Sequence, residues 1–105
     1  MTSRQLKRIL KRTGVGIART GGYTGHGSGE VMIGFTTANR IPSGREEELL
    51  QLSAIPEHVI NRAFLAAAEA EQEAILNSMT AAKQTRGREG ELYYSLAEYL
   101  NDREA

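Results

Sequence analysis

Over the first twenty residues the apolar positions Leu6, Ile9, Leu10 and Ile17, with Thr13 among them, recur three and four apart, while basic residues take the opposite face. This spacing predicts an amphipathic helix from Ser3 to about Thr20. Thr2 and Gln5 are placed to open it as a capping box, each satisfying a backbone donor of the other. Gly14 and Gly16 each cost such a helix up to about 1 kcal/mol relative to alanine, so a continuous helix implies close packing at the glycines. The period then changes. After the glycine-rich stretch 21–29, Val31, Ile33 and Phe35 alternate with Met32, Gly34 and Thr36, which predicts a strand ending near Thr37.

A linker follows over 38–54, with Pro42, Ser43, Gly44 and an acidic run at 46–48; it reads as surface loop with a short helical turn at 46–52. From Pro56 to about residue 84, Val59, Ile60, Ala63, Phe64, Ala67, Ala74, Ile75 and Met79 keep helical spacing, with the proline in the first turn. Such a helix is about 43 Å long, enough to cover a sheet. Residues 86–91 form a charged glycine turn, 92–94 a short extended piece, and Ser95 with Glu98 a second capping box opening a terminal helix to about residue 101.

The resulting fold class is α/β (α+β): helix, one clear strand, long helix, short C-terminal helix, in a single partial domain over residues 1–105. One strand cannot stand alone. Its N–H and C=O groups need partners, and even a two-stranded hairpin is marginal in water. The chain therefore reads as part of a larger sheet completed by another copy, another chain, or polypeptide outside these residues.

Charge changes the picture locally. Lys plus Arg and Asp plus Glu balance at 13 each, yet Arg4, Lys7, Arg8, Lys11, Arg12 and Arg19 all precede the first acid, Glu30. A basic helix face offers a nucleic-acid reading through Arg4, Lys7, Arg8, Lys11 and Arg12. No aromatic stacking platform accompanies it, and a solvated outer face accounts for it more simply. The absence of cysteine removes disulfides, a thiolate nucleophile and Cys-type zinc sites, and fits a reducing compartment. No apolar run is long enough to cross a bilayer, so the expected location is cytoplasmic, with no membrane partner.

The glycine-rich stretch could cradle phosphate only if it followed a strand and opened a helix; here the order is reversed and no Walker or Rossmann spacing exists. His26 and His58 lie in different elements without a second strong ligand nearby in sequence, so no metal and no cofactor are expected. Acid–base chemistry remains. In extended backbone Ser28 and Glu30 project to the same side about 7 Å apart, where a hydroxyl and a carboxylate could orient a nucleophile or an amine. On pattern alone, a turn serine and a solvated glutamate explain these residues better.

Four segments shift that balance. "GIARTGGYTGHGSGE", "IGFTTANR", "AFLAAAEAEQEAILNS" and "TRGREG", in this order, make the chain from about Leu6 to Leu92 resemble the C-terminal part of the DmpA-type L-aminopeptidase/D-esterase family. Thr36 stands where serine is usual, and the tail "LYYSLAEYL" is less characteristic. The resemblance implies a self-processing serine-type amidase or peptidase folded as an αββα sandwich, of which this chain is a fragment. Cleavage at a Gly–Ser bond frees an N-terminal nucleophile whose own α-amine, titrating at about 7.7 to 8.0, acts as base. It further implies that Ser28 and Glu30 hold that nucleophile in place. The nucleophile strand lies just before the first helix in the family, and the oxyanion-hole residues lie on the larger subunit. Thr2, as a helix cap, is not expected to serve as the nucleophile. The expectation is a chain inactive alone, whose partners are the rest of the peptidase or further copies, and whose substrate in the complete enzyme is a small peptide, amide or ester. The alternative is a non-catalytic interaction module pairing its exposed strand with a partner.

Overall fold

The computed structural model describes residues 1–44 and 49–104. Its elements are α1 (Ser3–Leu10), α2 (Thr13–Arg19), a 3₁₀ turn (Glu57–Val59) leading into α3 (Ile60–Ala81), β1 (Thr85–Arg86), β2 (Leu92–Tyr93) and α4 (Leu96–Glu104). Helices α1 and α2 pack against α3, and α4 also contacts α3.

The single N-terminal helix expected from the spacing is in fact two. At the break, Arg12 N–H donates to the Ile9 carbonyl (2.9 Å), one residue short of the helical partner. The Arg12 guanidinium donates to the Arg8 carbonyl (3.0 Å) and the Thr13 hydroxyl to the Leu10 carbonyl (2.7 Å). Side chains thus take carbonyls that a continuous helix would give to the N–H groups of residues 12 and 14. The glycines behave differently from each other. A Cβ on Gly16 would lie 2.7 Å from the Ala68 carbonyl oxygen and 2.8 Å from Gln72 N, so only glycine lets α2 reach the backbone of α3. At Gly14 the nearest atom to a Cβ would be the Met32 methyl at 3.8 Å, an ordinary contact.

Both capping boxes form. Gln5 N donates to Thr2 Oγ1 (3.3 Å) and Thr2 N to Gln5 Oε1 (3.2 Å); Glu98 N donates to Ser95 Oγ (3.2 Å) and Ser95 N to Glu98 Oε2 (2.8 Å). Gln5 also clamps the entry to α3: its Oε1 accepts from Ile55 N (3.0 Å) and its Nε2 donates to the Ile55 carbonyl. Asn39 fastens the linker, donating to the carbonyls of Met1 (2.8 Å) and Ser53 (2.9 Å) and accepting from Ser53 N (2.7 Å).

The long helix begins after the 3₁₀ turn and ends three residues before its expected end, where Ala82 turns extended (ψ 150°). The expected helical turn at 46–52 falls partly outside the described residues; residues 49–52 are not helical. The terminal helix runs to Glu104, three residues beyond expectation. Thr85 pairs with Tyr93 and Arg86 with Leu92, an antiparallel hairpin closed by Gly87 N–H on the Glu91 carbonyl (2.7 Å). The turn and the 92–94 arm are expected from the sequence; the arm at 85–86 is not, because two residues are too short to show a period.

Residues 31–36, the expected strand, carry no regular secondary structure and join no ladder among the described residues. The segment runs back along α2 and α1, with Met32 beside Gly14 and Gly34 against Leu10. Its other face is open: Val31, Ile33 and Phe35 are 91%, 89% and 83% exposed. Among the described residues the buried apolar side chains are Ile60 and Ala68, each 3% exposed. The accessible surface is 8973 Å², against about 5,800 Å² for a compact monomer of this mass. The radius of gyration is 19.7 Å, against about 13 Å for a compact domain of this length. No helix among the described residues is long and apolar enough to cross a membrane.

The two glycines of α2 separate the effects of packing and propensity. Gly16→Ala should destabilise the chain by about 1–3 kcal/mol through overpacking against α3, whereas Gly14→Ala should be neutral or gain up to about 1 kcal/mol. Urea midpoints followed by helical circular dichroism decide; equal effects at both positions would contradict the packing account.

Candidate active site

The loop carrying Ser28 and Glu30 is set by how α2 ends. Gly22 N donates to the Ile17 carbonyl (3.1 Å) and Gly21 N to the Ala18 carbonyl (3.1 Å). With Gly21 at φ 100°, this is a Schellman cap, which needs a residue without a Cβ at that backbone angle. Thr24 then adopts φ 55°, a left-handed conformation costly for a β-branched residue. Ser28 N–H returns to the Gly25 carbonyl (2.9 Å), a tight turn with His26 and Gly27 at its corners. The chain leaves this turn through Glu30, without regular secondary structure, into the 31–36 segment.

The geometry brings the two expected site residues together. Ser28 Oγ lies 3.0 Å from Glu30 Oε1, the hydroxyl donating to the carboxylate. Both are exposed and help to line an open cleft of about 370 Å³, together with Ile17 and residues 21–27. His26, Tyr23 and Thr24 belong to that lining. Sequence reasoning weighed His26 only as a metal ligand; its place in a glycine-flanked turn two residues before Ser28 was the signal that it shares the cleft. His58 is far along the chain, exposed in the 3₁₀ turn. Among the described residues no three His, Cys, Asp or Glu side chains converge as a metal site would require. A serine donating to a carboxylate in open solvent can position a third group, because the second carboxylate oxygen and the serine lone pairs still accept hydrogen bonds.

Thr2 is engaged at both its hydroxyl and its backbone nitrogen in the α1 cap. The basic face is also less uniform than the sequence suggests. Arg8 and Arg12 stack over the Phe64 ring, 5.5 Å and 4.0 Å from its centroid. Arg8 also pairs with Glu57 at 2.9 Å. Two of the five cations therefore fasten α1 to α3 and its approach, leaving Arg4, Lys7 and Lys11 as the exposed members.

Comparison with known proteins agrees with this assembly of elements. The profile of peptidase family S58 matches residues 1–93. Over 90 residues the chain is 33% identical to beta-peptidyl aminopeptidase BapA of Sphingosinicella microcystinivorans, covering 86% of this chain and 23% of that protein. It is 28% identical over 93 residues to BapA of Sphingosinicella xenopeptidilytica, covering 88% and 23%. The crystal structure of the PH0078 protein from Pyrococcus horikoshii OT3 superposes with a TM-score of 0.87 at 45% identity, over 98% of this chain and 29% of that one. The chain belongs to peptidase family S58, and the DmpA-type resemblance of its four segments holds. It spans about a quarter of the length of the curated relatives it matches.

The Arg8 contact sets a pH dependence. Hydrogen bonding from Arg8, aided by its charge, holds the Glu57 carboxyl below its ordinary 4.5. A carboxylate lowered in the folded state contributes stability that is present above its unfolded value and lost as pH falls through the folded one. Amide exchange in α1 should accelerate as pH drops below about 4.5, beyond the intrinsic pH effect. Glu57→Gln should remove that component, and an unchanged acid profile in the variant would exclude this pair as its source.

Proposed function

We propose that this chain is the C-terminal portion of a serine-type aminopeptidase or amidase that hydrolyses N-terminal aminoacyl amide, peptide or ester bonds. In it Ser28 and Glu30 orient a nucleophile supplied by sequence outside these 105 residues. The observation that carries the reading is the Ser28–Glu30 hydrogen bond of 3.0 Å at the mouth of an open cleft. It is strengthened by the neighbouring segment 31–36, whose backbone lacks ladder partners among the described residues. Family membership and relatives named as aminopeptidases support the same class of chemistry.

The mechanism follows from the parts. A freed N-terminal serine or threonine loses its hydroxyl proton to its own α-amine and attacks the acyl carbon. The C–N or C–O bond of the substrate breaks, the ammonium returns the proton to the leaving group, and water releases the acyl chain by the reverse sequence. Glu30 attracts the ammonium and so favours its charged form. Its contribution is therefore to direct the amine at the hydroxyl as well as to neutralise charge, with Ser28 fixing the carboxylate. Self-processing at a Gly–Ser bond generates the nucleophile, and the larger subunit supplies the oxyanion hole.

The αββα architecture also accounts for the open face. Helices cover one side of 31–36, and Val31, Ile33 and Phe35 face where a second sheet packs. That face equally supports a second reading, a non-catalytic module that pairs its strand with a partner protein. The two readings part on activity. In the complete enzyme Glu30→Gln should lower kcat about 100-fold or more with a small change in KM, and Ser28→Ala should act in the same direction. Hydrolysis of an aminoacyl p-nitroanilide measures both, and full activity of Glu30→Gln would return that residue to a solvated surface role. The 105-residue chain alone should show no turnover above background. Turnover abolished by Thr2→Ala would instead make Thr2 the nucleophile.

A further inference from the structure

The cleft that holds Ser28 and Glu30 is lined by apolar side chains as well as polar ones, and two glycines of the loop decide where they lie. A Cβ on Gly22 would fall 2.6 Å from Cγ2 of Ile17, so the isoleucine methyl rests on bare backbone. A Cβ on Gly25 would fall 3.2 Å from Cε2 of Tyr23, 3.4 Å from its Oη and 3.5 Å from its Cζ. The outer edge of the tyrosine ring therefore lies along Gly25, where the turn of residues 25–28 begins. Thr24, between them, is the residue at φ 55°, so the ring reaches Gly25 across a left-handed bend. Ser28, at the end of the turn, is bonded to Glu30.

The tyrosine gains little from this position on its own account. It is 89% exposed, so almost none of its apolar area leaves water. The loop meanwhile carries a β-branched residue in left-handed backbone, a cost that recurs at ligand clamps. A costly bend and an unburied ring in one cleft with a hydroxyl–carboxylate pair make sense together if a ligand covers the ring. Small-molecule sites combine apolar walls with a few polar groups that fix orientation, and about 370 Å³ lies within their usual size. Tyrosine suits such a wall, since it offers a large rigid face with few rotatable bonds to immobilise.

We infer that Tyr23 is a specificity-determining residue, whose ring, with the Ile17 methyl, receives an apolar, flat group adjoining the bond that is broken. This rests on the proposed hydrolase reading for the reaction itself; the wall and its chemical preference come from the cleft. The group has two sources, the side chain of the acyl residue or that of the first leaving residue, and both present the same chemistry to the ring. Apolar area laid against Tyr23 leaves water, and an aromatic group adds offset-stacked or edge-to-face contact. A substrate with hydrogen in that place leaves the ring wet and gains neither. One methylene in a hydrophobic pocket changes kcat/KM by roughly 10- to 200-fold, so a wall the size of a tyrosine should discriminate by about tenfold or more.

The test uses the complete, processed enzyme and two substrate series. In the first, the leaving group is p-nitroaniline and the acyl residue is glycine or phenylalanine. In the second, the acyl residue is glycine and the leaving group is glycinamide or phenylalaninamide. In one series kcat/KM should favour phenylalanine over glycine, and Tyr23→Ala should reduce that ratio by about tenfold or more. Tyr23→Phe should keep it, because the ring and not the hydroxyl forms the wall. The series that responds identifies the source of the group. A ratio unchanged by Tyr23→Ala in both series, or an equal loss on every substrate, would overturn the assignment. Gly25→Ala tests the wall with Tyr23 still present: its Cβ displaces the ring edge, so the same ratio should fall, with no further fall in a Tyr23→Ala background. An additive effect would overturn the assignment. Where Tyr23→Ala yields no processed enzyme, Gly25→Ala carries the comparison, and an unchanged ratio there overturns it. The outcomes separate from those for Glu30. Selectivity lost in Tyr23→Ala beside a fully active Glu30→Gln enzyme would keep the wall and remove the role of the carboxylate. Unchanged selectivity beside an inactive Glu30→Gln enzyme would do the reverse, and a complete enzyme without turnover in either series would overturn both.

Discussion

The contact on which the rest of the structure depends is the approach of two backbones at Gly16. The Ala68 carbonyl and the Gln72 nitrogen stand where a side chain would be. That approach sets α2 against α3, and α2 in turn fixes where its Schellman cap releases the chain. The glycine-rich loop, the Ser28–Glu30 pair and the start of the extended segment all follow from that exit. At the other end, Gln5 and Asn39 use side-chain amides to hold the entry to α3 and the linker against the start of α1. Packing at one end and hydrogen bonding at the other hold the helices in register with a segment that has no ladder of its own.

An unusual division results. The helices are capped, clasped by Arg8 and Arg12 over Phe64, and closely packed, while the part that should be most deeply buried faces solvent. Apolar area left in water forgoes roughly 25 cal/mol per Å² of potential stabilisation. The excess of surface over a compact monomer is therefore large compared with the marginal stability of ordinary domains. Helix packing supplies the order seen here, and among the described residues no sheet packs on the open face of 31–36.

How much was legible in the sequence depended on whether the forces were local. Both capping boxes and the amphipathic helices could be read because each rests on residue spacing, whereas residues 31–36, expected as a strand, form none among the described residues. The same-side projection of Ser28 and Glu30 was readable from period two, and their hydrogen bond agrees with it. The break at Lys11 and Arg12 was not readable, because it arises from side chains competing for carbonyls, with Arg12 also drawn to Phe64 across the fold. The pairing of Thr85 and Arg86 escaped because two residues show no alternation. His26 is exposed and has no second metal ligand near it in sequence; its place in the lining of the cleft was not readable because it is set by the turn geometry of residues 25–28.

Thr24 has a consequence of its own. A threonine held at φ 55° sits about 1–2 kcal/mol above its preferred backbone, so the loop is not resting in a shape its own residues favour. It is held there by its anchored ends, much as a bowed spring is held by its clamps. That cost falls within the lining of the cleft itself, on a residue next to the turn that carries His26 and Ser28.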